Sequence, residues 1–94
     1  MNNTAHITIV ETLARPGKGI IACGTDADLS DWTTDQIRAI VGEEVVIQGE
    51  RVRVLGVEVS AALSGRRNIF LLLPEATPLE ALTFGTRIDL HLPV

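Results

Sequence analysis

The chain has one cysteine, no tyrosine, and among its 94 residues only one Trp and two Phe. A lone cysteine has no partner for an internal disulfide. So few aromatics also exclude the stacking platform on which single-stranded nucleic acids are held. Basic residues are scarce too: eight Lys and Arg stand against twelve Asp and Glu, a net charge of -4. A non-specific binder of phosphate backbones needs the opposite balance, so no nucleic acid partner is expected. The longest apolar run, Ile69 to Leu73, is far too short to cross a bilayer. The opening stretch MNNTAHITIV has neither a basic segment nor a long apolar one. No leader is therefore expected, and the cytoplasm is the expected compartment. Neither a Ser/His/Asp nor a Cys/His arrangement occurs in a recognisable context, so no enzyme and no cofactor are expected.

Apolar material is plentiful, at 46% of residues, enough to build one core. Without a repeat or a linker, residues 1–94 read as a single domain. The acid is concentrated in the first half: residues 1–47 hold seven Asp and Glu against three Lys and Arg, whereas residues 48–94 hold five of each. Period-2 alternation dominates. In His6 to Leu13, Ile7 and Ile9 share a face opposite His6 and Thr8. Gly19 to Gly24 follows the turn signal Pro16-Gly17 and reads as a second strand. Val45 to Gln48 and Arg51 to Leu55 flank a turn at Gly49-Glu50, with Val52 and Val54 inward and Arg51 and Arg53 outward. Val57 to Ser60 continues that strand or starts another after Gly56. Asn68 to Leu73 is nearly all apolar, as in a strand covered on both sides, and Arg87 to Leu92 alternates again. The expected fold is mainly β, a small six- or seven-stranded antiparallel barrel. Its turns should depend on glycine, and valine at Gly19 or Gly56 should destabilise if either backbone has positive φ or is closely packed.

Two helical signals interrupt the strands. Thr33 to Gln36 forms a capping box, with Trp32 placed to staple onto Ile37 and Gly42 to end the helix. This predicts two turns, Thr34 to Val41, docked through Ile37, Ile40 and Val41. Thr77-Pro78-Leu79-Glu80 predicts one further helical turn ending before Gly85.

The candidate sites are few. Lys18 between Gly17 and Gly19 lacks the spacing of a phosphate loop and reads as a β-turn. Asp26, Asp28 and Asp31 could offer oxygen ligands to a cation, but an EF-hand starting at Asp26 needs Gly and Glu where Asp31 and Ile37 stand. His6 and His91 fall on the polar phase of the first and last strands, the beginning of a metal site without a third ligand. Cys23 reads as a buried, inert thiol. Arg66 and Arg67 beside Asn68 form the one local cationic cluster, placed at a loop tip, and suit a carboxylate or phosphate. Trp32 is either the helix staple or, if exposed, an anchor for a partner.

Three blocks of residues in order resemble the second domain of translational GTPases such as elongation factor Tu. Val10-Glu11, Pro16 to Ile21 and Gly24 form the first block, and Gly42 to Ile47 with Arg53 to Val59 the second. Asn68 to Leu73, Leu82 and Gly85 to Ile88 form the third. The resemblance implies a β-barrel that docks on other macromolecules. It carries over neither GTP hydrolysis, since the G domain is absent, nor tRNA binding, since only Asn68 has a counterpart in that pocket and the Ser60 to Arg67 loop is short. The expected role is a freestanding, non-catalytic protein-interaction module whose partner is another protein or a second copy, with Arg66, Arg67, Asn68 and Trp32 as contact residues. Two other roles stay open: an elongation-factor mimic acting as decoy or immunity factor, and a small-molecule or metal-binding protein.

Overall fold

A computed structural model describes residues 4–25, 32–61 and 66–91. The fold is all-β: among the described residues seven antiparallel strands form one curled, half-barrel sheet. In chain order the strands are β1 (Thr4–Arg15), β2 (Gly19–Thr25), β3 (Glu44–Ile47), β4 (Glu50–Arg53), β5 (Gly56–Ala61), β6 (Arg67–Leu73) and β7 (Arg87–His91). One short helix, α1 (Thr34–Arg38), lies between β2 and β3, and a 3-10 turn (Leu79–Ala81) precedes β7. Across the sheet the order is β4-β3-β7-β1-β2-β6-β5.

The two edge strands are consecutive in sequence, and this forces the curl. A flat sheet would hold β4 and β5 about 29 Å apart at about 4.8 Å per strand. The link between them is only Val54-Leu55, which reaches about 11 Å when fully extended. The sheet therefore curls until the end of β4 lies within that reach of the start of β5. Val54 belongs to one side of the seam: its N–H donates to the Glu43 carbonyl, and its carbonyl accepts from Gly42. Leu55 belongs to the other, donating to the Leu72 carbonyl at 2.7 Å. Both edges are protected, β5 by α1 packed against it and β4 by exposed Glu50, Arg51 and Arg53.

Alternation selects the inner face. Ile7, Ile9, Ile20, Ala22, Val45, Ile47, Ile69, Leu71, Leu73, Ile88 and Leu90 fill the hollow of the curl, with Val54 completing it from the seam. Trp32, Ile37, Ile40 and Leu82 close the core from the connections. The expected capping box is present: Gln36 N–H donates to Thr33 Oγ1 at 3.1 Å, and Thr33 N–H donates to Gln36 Oε1 at 2.8 Å. Helix α1 is shorter than predicted. After Ala39 the backbone tightens into three-residue turns, Ile40 to Ile37 and Val41 to Arg38, as it swings Gly42 toward its bond with Val54. Ile40 still reaches the core, but Val41 does not dock and is 47% exposed.

Two turns also differ from expectation. The β3–β4 hairpin turns at Gln48-Gly49, one residue earlier than read, because Ile47 pairs with Glu50. Both turn residues have positive φ, 49° and 81°, the type I′ geometry whose twist suits a two-residue hairpin. Gly56 does not need to be glycine: a Cβ there would meet Leu72 at an ordinary 3.6 Å. Gly19 does, since its φ is +134° and a Cβ would run into the Leu73 carbonyl oxygen.

Candidate functional surface

Strand β1 carries a bulge. Its pairing with β2 steps from Ile9↔Gly24 to Glu11↔Cys23, so Val10 has no partner of its own. The extra residue reverses the phase of the strand. Before it, Ile7 and Ile9 point inward, and His6 and Thr8 lie on the outer phase; after it, Glu11, Leu13 and Arg15 point outward. The bulge is itself pinned, since Ile9 donates to Thr86 and accepts from Gly85, both at 2.8 Å.

The outer face consequently has two halves of different chemistry. On β4, β3, β7 and the start of β1 it is charged, with Arg51, Arg53, Glu44, Arg87, Asp89 and His91 on one side of the sheet. Arg87 Nε donates to Asp89 at 2.8 Å, an exposed pair of little energetic weight. On the end of β1, β2 and β6 it is apolar. Leu13, Ile21 and Leu72 form one cross-strand row, because Leu13 pairs with Ile21 and Ile21 with Leu72. The next row runs Glu11, Cys23, Phe70, Glu58, placing a carboxylate at each end. Leu13 is 51% exposed, and Ile21, Cys23, Phe70 and Leu72 are half-buried. Glu11, Leu13, Arg15, Ile21, Cys23 and Phe70 line a shallow depression of about 200 Å³ on this face.

Sequence reasoning read Asn68 to Leu73 as covered on both sides. The described residues bury only one side of it fully: Ile69, Leu71 and Leu73 lie in the core, whereas Phe70 and Leu72 face outward and are half-buried. Cys23 shares this outer face and is half-buried rather than buried. Burial and the neighbouring Glu11 carboxylate push its thiol above the usual range, so it stays protonated at neutral pH and is a poor nucleophile.

Of the residues predicted to bind a partner, Trp32 lies in the core and Arg66, Arg67 and Asn68 lie at the start of β6. Trp32 is 3% exposed and sits in the core, so the condition for its use as an anchor is not met. Arg67 is not at a loop tip but begins β6, paired with Ala61, and its guanidinium donates to the Trp32 carbonyl at 2.6 Å. Arg66 precedes it and is exposed, and Asn68 is paired in the sheet between Thr25 and Ser60. His6 and His91 share a face as diagonal neighbours, with His6 opposite Asp89 and His91 opposite Thr4. Among the described residues no cluster of three or more His, Cys, Asp or Glu could hold a metal. Asp26, Asp28 and Asp31 lie outside the described residues. Lys18 is exposed in a β-turn, as expected, where Lys18 N–H donates to the Arg15 carbonyl and Gly17 N–H to the Glu75 carboxylate, both at 2.9 Å. Sequence reasoning missed Phe84, which is 82% exposed on the turn that Thr86 closes onto Thr83. Its position just before Gly85, in a chain with two phenylalanines, was the available signal.

Among the described residues no helix is long and apolar enough to cross a membrane. No family model, curated protein or solved structure matches the chain.

Proposed function

We propose that this chain is a non-catalytic protein-interaction module of the cytoplasm, a small barrel like the second domain of translational GTPases. It docks through the outer face of β1, β2 and β6. The observation that carries the reading is the apolar group Leu13, Ile21, Cys23, Phe70 and Leu72, drawn from three adjacent strands and bounded by Glu11, Arg15 and Glu58. Apolar centre and charged rim are the arrangement of a protein interface. A contiguous apolar patch also costs solubility unless something covers it. The charged half of the same sheet has no such patch, which gives the reading a built-in control.

The test is site-specific photo-crosslinking in the cells that make the protein. A photoreactive residue replacing Leu13 should attach to another polypeptide, identified by mass, whereas one replacing Arg51 should not. Equal labelling from both positions, or none from position 13, would overturn the reading.

A further inference from the structure

We infer that the occupant of this face is a second copy of the chain, packed face to face about a twofold axis running along the Leu13–Ile21–Leu72 row. The assignment rests on the docking face proposed above and adds its partner. Its ground is that the face is complementary to itself. Glu11, Leu13 and Arg15 occupy successive outward positions of one strand, so Leu13 stands midway between opposite charges about 13 Å apart. Among the described residues neither Glu11 nor Arg15 has an ion-pair partner. They are too far apart to satisfy each other.

An isologous interface requires that where residue i meets j, j also meets i. With the axis along the Leu13–Ile21–Leu72 row, β1 runs antiparallel to β1 of the second copy. Each residue of the row then meets its own counterpart. Glu11 falls opposite Arg15 of the second copy, and Arg15 opposite its Glu11, so the ion pair forms twice. Cys23 falls opposite Gly19 of the second copy, and the absent side chain there leaves room for neighbouring Phe70. Packed sheets stand about 10 Å apart, a gap that a glutamate and an arginine span together.

The size sets the strength. Three strands by five residues cover about 240 Å² in projection, and even doubled for side-chain relief this stays below about 800 Å² per partner. The dimer is therefore of the weak class, reversible on dilution.

Sedimentation equilibrium of the purified chain tests this through its charges. Wild type should show a reversible monomer–dimer equilibrium. Glu11→Lys sets an ammonium against Arg15 of the second copy, and Arg15→Glu sets a second carboxylate against its Glu11. Each variant alone should therefore dissociate at least about tenfold more readily. An equimolar mixture of the two variants should associate again, because one of its two charge contacts joins the new ammonium to the new carboxylate and the other joins the unaltered Glu11 and Arg15. The double variant Glu11→Lys/Arg15→Glu should match wild type, which also shows that the substitutions fold. A wild type that stays monomeric to millimolar concentration, or a mixture no tighter than its components, would overturn the assignment. If position 13 still crosslinks to a different polypeptide in cells, the docking face survives and only the second copy falls; without crosslinks, both fall.

Discussion

Alanine at Gly19 should be among the most damaging single-methyl additions in the molecule. The glycine sits where the β1–β2 turn delivers the chain into β2, at φ +134°, and its added Cβ would be driven into the Leu73 carbonyl oxygen. Two costs combine. A non-glycine residue in such a conformation loses about 1–3 kcal/mol. The obstructing atom is backbone and cannot swing aside, so the Ile20↔Leu73 end of the β2–β6 ladder must shift as well. Disturbing a well-packed contact adds about 1–3 kcal/mol, for a total of about 2–6 kcal/mol. Gly17 and Gly56 separate these contributions. Gly17 has φ +79° with nothing within 4 Å of the added atom, so Gly17→Ala should pay only the conformational term, about 1–2 kcal/mol. Gly56 is free of positive φ and has space, so Gly56→Ala should lie near neutrality or stabilise by up to about 1 kcal/mol. Urea denaturation of the three variants gives the order directly. If Gly19→Ala were no worse than Gly17→Ala, the close approach of β2 to Leu73 would be wrong.

Other substitutions test the connections and the outer face. Thr33→Ala should lower stability by about 0.5–2 kcal/mol through loss of the cap, and Trp32→Ala by about 3–5 kcal/mol because it empties a core position. Equal melting temperatures for wild type and both variants would show that α1 is loose. Arg67→Ala should cost about 1.5–3 kcal/mol, because a charge-assisted bond to the Trp32 carbonyl is lost. Arg51→Ala on the exposed face of β4 should stay within about 0.5 kcal/mol, and equal melting points for these two would show that the Arg67 contact contributes nothing. Cys23 should react slowly with iodoacetamide at neutral pH and speed up only in alkali, above the range of an ordinary thiol. Because its folded pKa is raised, the neutral thiol's contribution to stability is present below the unfolded pKa and lost as pH rises through the folded one. Wild type should therefore lose stability faster than Cys23→Ser above about pH 8.5, and parallel pH curves would contradict the shift.

Local signals were the legible part of this fold. The Thr33 to Gln36 capping box and the hairpin arginines carry their meaning in residue type and spacing. The hairpin turn was displaced by one residue because Gln48 adopts positive φ under the demand of the Glu44↔Arg53 ladder, and glutamine does not announce that conformation. Neighbour relations were not legible. Alternation says which face of β7 is buried, but not that β7 lies between β3 and β1. The candidate surface failed to appear for two physical reasons. In strict alternation Leu13 shares the phase of Ile7 and Ile9, and only the bulge at Val10 turns it outward. The apolar run Ile69 to Leu73 does imply apolar surroundings on both faces, but composition cannot say whether the second cover belongs to the same chain. The contact of Arg67 with the Trp32 carbonyl was not legible, because it joins residues far apart in sequence.

The most direct test of the outer face as an interface is amide and methyl NMR of wild type across a dilution series, from millimolar to low micromolar protein. Concentration-dependent shifts should be confined to Leu13, Ile21, Cys23, Phe70 and Leu72 with their rim, and signals from Arg51, Arg53, Asp89 and His91 should stay constant. Shifts on the charged half or around Phe84 instead, or a spectrum unchanged by dilution, would contradict that interface.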